Sequence, residues 1–177
     1  MKAPGVKKIV TLAFLSALSL TVFVIEAQLP PMFIPGAKLG LANIFSLFTL
    51  VLYGPIEAVA LVLVRTLLGT LVTGTFGSVV YSLTAGIIAV ALSGLLVRTA
   101  LTRVSVIAVS VASAVVHNIV QNLVFVLISS SPQMLTYMPY LALIGAASGA
   151  LVGAAVYLLV KHLPYKTLLS GVSKEEH

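Results

Sequence analysis

The chain reads as an all-α integral membrane protein: a bundle of six transmembrane helices with both termini in the cytoplasm. Three observations lead there. Its 177 residues are 60% hydrophobic and 8% charged, with a mean hydropathy of +1.19, far from the composition of water-soluble domains. Apolar stretches recur between Pro, Gly and basic punctuation, and at about 20 residues per crossing the length holds six of them as one membrane domain, without room for a separate aqueous one. Cations collect at alternate ends of these stretches: Lys2, Lys7, Lys8, Arg98, Arg103, Lys161, Lys166 and Lys174 fall on one face, against Lys38 on the other. By the positive-inside rule, the crowded face is cytoplasmic.

The first span runs from Ile9 to Gln28 behind Lys7 and Lys8. No small-x-small cleavage site follows, so it is expected to be a retained helix rather than a signal peptide. Pro30, Pro31, Pro35 and Gly36 then exclude helix over a rigid loop carrying Lys38. A second, shorter segment from Leu39 to Tyr53 ends at Gly54 and Pro55 and is expected to cross obliquely or incompletely. The third span, Ile56 to Val72, gives way at Gly74–Ser78 to a tight turn. The fourth, Val79 to Val97, leads into a basic loop at Arg98–Arg103, and the fifth covers Val104 to Ile128. Ser129, Ser130, Ser131 and Pro132 open a polar connection before the sixth, Pro139 to Val160, and a basic tail. No internal repeat is visible, which weighs against a self-sufficient carrier built from inverted halves.

Composition excludes several function classes. The net charge of +6 sits at span ends rather than on one soluble face, so nucleic-acid binding is rejected. The absence of cysteine removes disulfides, thiolate nucleophiles and Cys-based zinc sites. With no aspartate, the chain has no Asp-rich motif to hold magnesium against a diphosphate. It also lacks a Gly-x-x-x-x-Gly-Lys-Ser/Thr loop, so ATP-driven work requires a partner. Ser78 and His117 invite an intramembrane protease reading, but they lie at different depths and no Gly-x-Ser-Gly motif surrounds the serine. No catalytic residue, cofactor or metal is expected: His117 lacks a second histidine, cysteine or aspartate within the spans to complete a metal shell.

The candidate binding residues are polar groups at membrane depth. Arg65 interrupts the apolar stretch Ile56–Leu71, where an arginine costs roughly 2.5–3.5 kcal/mol on insertion scales and normally faces a protein interior, a wet cavity or a ligand. It either pairs structurally with Glu57 or Glu26 or contacts a ligand. In the fifth span His117, Asn118, Gln121 and Asn122 fall within an arc of about 140°. Each alone reads equally well as interhelical glue; four together suit a pocket wall. Convergence of Glu26, Lys38 and Arg65 with that stripe favours an anionic or zwitterionic ligand. Gly145, Gly149 and Gly153, flanked by Ala142, Ala146, Ala150 and Ala154, form a small-residue face suited to internal packing. Ala13 and Ala17 repeat the same spacing beside Ser16 and suit packing inside the bundle or against another subunit.

The string Pro35, Gly36, Ala37, Lys38, Leu39, Gly40, Leu41, Ala42, Asn43, together with Arg65 and the His117, Asn118, Ile119, Val120, Gln121 run, resembles the Gx transporter family, which also carries the label heptaprenyl diphosphate synthase component I. That family in turn resembles, in architecture, the substrate-binding S components of energy-coupling-factor (ECF) transporters. These are small six-helix proteins that capture micronutrients in an outward-opening pocket and dock onto a transmembrane coupling subunit and two ATPases. The resemblance implies an outward-opening ligand pocket, to which Glu26, Lys38, Asn43, Arg65, His117, Asn118, Gln121 and Asn122 are assigned by their positions in this sequence. It also implies a docking role for Ala13 and Ala17, at the positions of the S components' Ala-x-x-x-Ala pattern. The alternatives are a membrane accessory of heptaprenyl diphosphate or quinone synthesis, and a stand-alone carrier using Glu26 or Glu57 as its ion site.

Overall fold

The computed structural model describes residues 5–28, 40–100 and 104–162. Lys38 and most of the Pro-rich string lie outside them. Among the described residues there are six α-helices and no strand: α1 Val6–Gln28, α2 Asn43–Tyr53, α3 Pro55–Thr73, α4 Val79–Ala100, α5 Val106–Ser129 and α6 Met138–His162. Five of them, all but α2, are long and apolar enough to cross a membrane.

The distribution of polarity is inverted relative to a soluble protein. Phe14, Leu71, Leu127, Leu143 and Leu151 are exposed on the outside of the bundle, whereas Ser19, Ser46, Thr49, Arg65, Thr66 and Thr70 are buried within it. In water this arrangement would expose apolar surface on nearly every helix and desolvate polar groups in exchange. In lipid it is the expected solution, because hydrocarbon solvates the outer face and helix seams satisfy the inner one. The chain is therefore a multi-pass membrane protein.

The shortest helix is the most central. With 11 residues, α2 reaches about 16 Å, half of a hydrocarbon core of about 30 Å. Ser46 through Leu50 and Leu52 are all buried, and the helix packs against α1, α3, α4 and α6. Its hydropathy thus reflects protein burial rather than lipid contact. At one end a turn at Gly40 leads in, with Asn43 N donating to Gly40 O at 2.9 Å. At the other, Gly54 takes φ +106°, a backbone conformation side chains resist. That lets α2 stop and α3 begin at Pro55 with a single residue between them.

The remaining helices start and stop on local chemistry. Gly74 ends α3 in the left-handed conformation, and a 3-10 turn at Phe76–Ser78 feeds α4. The Ser105 hydroxyl caps α5 by accepting from Ala108 N at 3.2 Å. Pro132–Tyr137, expected to be a plain connection, forms a 3-10 turn that runs straight into α6. The close α5–α6 seam depends on the glycine face: a methyl group at Gly149 would lie 2.8 Å from Val111 Cα and 2.9 Å from Ser110 O, and one at Gly153 would lie 2.7 Å from Ile107 Cα. These contacts are backbone against backbone, which only a side-chain-free surface permits.

Candidate functional site

Two adjoining cavities, each of about 50 Å³, occupy the middle of the bundle. The first, nearer the end where α1 closes and α2 begins, is lined by Glu26, Asn43, Arg65, His117, Asn118 and Gln121, among others. Four helices, α1, α2, α3 and α5, thus bring six of the eight sequence-derived candidates to one space. Asn43, His117 and Ser148 also line the second, deeper cavity and form the waist between them.

Arg65 is only 4% exposed. Its Nη1 donates to Asn43 Oδ1 at 3.1 Å and to Ser46 Oγ at 3.4 Å, and its guanidinium carbon stands 5.9 Å from the Phe23 ring centroid, within cation–π range. Its Nε is buried with no hydrogen-bond partner. Among the described residues both of its hydrogen-bond partners are therefore neutral, the Glu26 carboxylate acts on it through space, and Nε is unspent.

The alternative of a structural ion pair resolves differently for the two acids. Glu57 is bound to Lys8, Oε1 to Nζ at 2.7 Å, and eight helical residues, about 12 Å of rise, separate it from Arg65. A pair between Glu57 and Arg65, one of the two expected alternatives, is excluded by that axial distance. Glu26 shares the cavity with Arg65 but accepts from Leu41 N at 2.9 Å and Ala42 N at 3.3 Å. Its carboxylate pins the turn ahead of α2, and so positions Asn43 against Arg65.

The polar stripe of α5 divides. His117 and Gln121 face the cavities. Asn118 lines the first one while its Nδ2 donates to Leu141 O at 2.9 Å. Asn122 stands apart: it is buried, is not among the lining residues, and donates from Nδ2 to Met134 O at 3.0 Å. At 100° per residue Asn122 lies at the edge of the arc farthest from His117, bonded to the 3-10 turn that leads into α6, where it ties two segments together. Asn122→Leu is accordingly expected to lower thermal stability by about 0.6–1.7 kcal/mol and to leave ligand affinity unchanged, as calorimetry on the two proteins would show.

Sequence reasoning missed the hydroxyls. Ser110 and Ser113 of α5 line the deeper cavity with His117, and Thr66, Ser82 and Ser148 line the first. The spacing held a usable sign: Ser110, Ser113, His117 and Gln121 fall within an arc of about 80°, tighter than the four-residue stripe. Serine is common enough in membrane helices to pass as packing, which is why the pattern was overlooked. Ser78 takes no part; its Oγ donates to Thr75 O at 2.7 Å. Among the described residues no three His, Cys, Asp or Glu side chains cluster as metal ligands.

A separate surface feature accompanies the interior site. Ala13, Ser16 and Ala17 of α1 face Ala60, Val64 and Leu68 of α3 across an open, largely apolar groove of about 520 Å³, with Glu57 among its lining residues. Both alanines are exposed.

A family model described as heptaprenyl diphosphate synthase component I matches residues 15–159. No curated protein and no solved structure matches the chain. The matched region takes in α1 from Leu15, the whole of α2 through α5 and nearly all of α6, and so both cavities. The chain belongs to the heptaprenyl diphosphate synthase component I family.

Proposed function

We propose that this protein is the solute-binding subunit of an ECF-type importer, a six-crossing S component with both termini inside. It captures a small anionic or zwitterionic molecule from the outer face and releases it inward when a coupling subunit and two ATPases reorient it. The observation that carries this reading is Arg65: a buried guanidinium with neutral hydrogen-bond partners among the described residues and an unspent Nε, on a cavity that six helices line. A cation held at such cost, and without a salt bridge among the described residues, suits an anion that comes and goes. The cation count supports an outward-facing charged cavity. The groove at Ala13 and Ala17 supports docking, since small residues on an exposed face let a partner helix approach closely.

The test couples uptake to binding. Ala17→Leu fills the groove from the outside, so co-expression with a coupling subunit and its ATPases is expected to give normal ligand binding, loss of co-purification and at least tenfold lower uptake. Binding lost together with folding would return Ala17 to a packing role. A second reading, a membrane accessory of prenyl diphosphate synthesis, draws on the family's description; co-purification with a prenyltransferase and not with ATPases would favour it. A stand-alone ion-coupled carrier requires uptake by this chain alone in liposomes, with Glu26 and Glu57 each released from its present partner.

A further inference from the structure

The deeper cavity differs in chemistry from the one above it. Around the waist at Asn43 and His117 the charged groups cease: among the described residues its lining consists of hydroxyls set in aliphatic wall, and none is charged. Ser93 and Ser110 are 3% and 4% exposed and line this space, with neither hydroxyl engaged by another described residue. Ser113 and Ser148 spend their protons on Ala89 O at 2.9 Å and Gly145 O at 3.2 Å, which leaves their oxygens as acceptors. Leu47, Leu50, Val62 and Val90 supply the rest of the wall. Hydroxyls lining a cavity in this way can bond to whatever polar group fills it.

Resting on the solute-binding reading above, we infer that the ligand is a slim, elongated monoanion: a single carboxylate-class head held at Arg65, and an uncharged body bearing a hydroxyl or carbonyl that reaches the serines of the deeper cavity. Three features select this class. The charged cavity pairs one cation with one anion among its described residues, Arg65 and Glu26, which suits a single negative charge on the ligand. The deep cavity has no cation for a second acidic end, and desolvating an unpaired carboxylate there would cost far more than the serines return. At about 50 Å³ it exceeds the roughly 10–15 Å³ that one water needs, yet it is far too small for a polyprenyl chain.

Three matched probes isolate each element: 5-hydroxypentanoate, pentanoate, and glutarate, which carries a second carboxylate in place of the hydroxyl end. Their dissociation constants, with that of inorganic diphosphate, would be measured on the full-length protein in nanodiscs. Wild type is expected to bind 5-hydroxypentanoate about three- to tenfold tighter than pentanoate, the usual worth of one buried hydrogen bond. Glutarate and diphosphate should be at least tenfold weaker than 5-hydroxypentanoate. Ser110→Ala and Ser93→Ala, conservative enough to preserve folding, should erase the preference for the hydroxyl while leaving pentanoate affinity unchanged. If glutarate or diphosphate binds as well as the hydroxy acid, or if both serine variants keep the preference, the ligand-class inference is overturned while solute binding stands. If no probe binds and no small molecule is retained on purification, both fall, and the cavities hold only water.

Discussion

Arg65→Met is expected to lower affinity for the captured anion by roughly 30- to 1,000-fold, the loss of about 2–4 kcal/mol of charge-assisted contact, while the ligand-free protein remains folded. The second half of that expectation separates a binding role from a structural one. Removing the guanidinium orphans Asn43 Oδ1 and Ser46 Oγ, at about 1–3 kcal/mol. It also removes a charge whose placement at membrane depth costs roughly 2.5–3.5 kcal/mol. The terms nearly cancel, so the melting temperature without ligand should move by only a few degrees. A variant that binds normally but melts far lower would show that Arg65 holds the bundle together rather than the solute. Arg65→Lys should recover only part of the affinity, because an ammonium lacks the fork that engages Asn43, Ser46 and a ligand together.

The largest effect on stability is expected at Gly149. Glycine to alanine inside a helix normally gains about 1 kcal/mol from propensity, and in this seam the opposite sign should be observed. The added methyl would stand 2.8 Å from Val111 Cα and 2.9 Å from both Ala114 Cβ and Ser110 O, mostly against backbone that cannot rotate away. Overpacking of this kind costs about 1–3 kcal/mol, so Gly149→Ala should be less stable than wild type by up to about 2 kcal/mol once the propensity gain is set against it, and Gly149→Leu should fail to assemble the α5–α6 pair. Since Ser110 and Ala114 line the cavities, the alanine variant should also bind ligand more weakly. Gly77→Ala is the matched control: nothing lies within 4 Å of a methyl group there, and its stability should be unchanged.

Much of this architecture was legible in the sequence because lipid enforces simple rules. Pro, Gly and Lys or Arg marked the helix ends within a few residues, from the stop at Gly54 to the turn after Gly74. The glycine face of α6 announced its own packing, since four-residue spacing has one good use in a membrane helix. What the spacing could not convey was which neighbour a side chain would meet. Asn118 and Asn122 share a stripe with His117 and Gln121, yet α6 and the 3-10 turn ahead of it divert the carboxamides to backbone carbonyls, wholly for Asn122 and partly for Asn118. Glu57 lies only two turns from Arg65, but the N-terminus of α1 brings Lys8 to it first. Hydropathy counted α2 among the spans without revealing that its apolar residues face protein on nearly all sides. The serines escaped notice because their importance depends on five helices leaving a gap, a property of the assembly rather than of any one helix.

Native mass spectrometry of the wild-type protein, released from gently purified nanodiscs alongside Arg65→Met, tests the central claim most directly. One small solute bound at one-to-one stoichiometry to wild type and missing from the variant is the result this account requires. A wild-type spectrum showing only protein and lipid, or an identical adduct on both proteins, would contradict it.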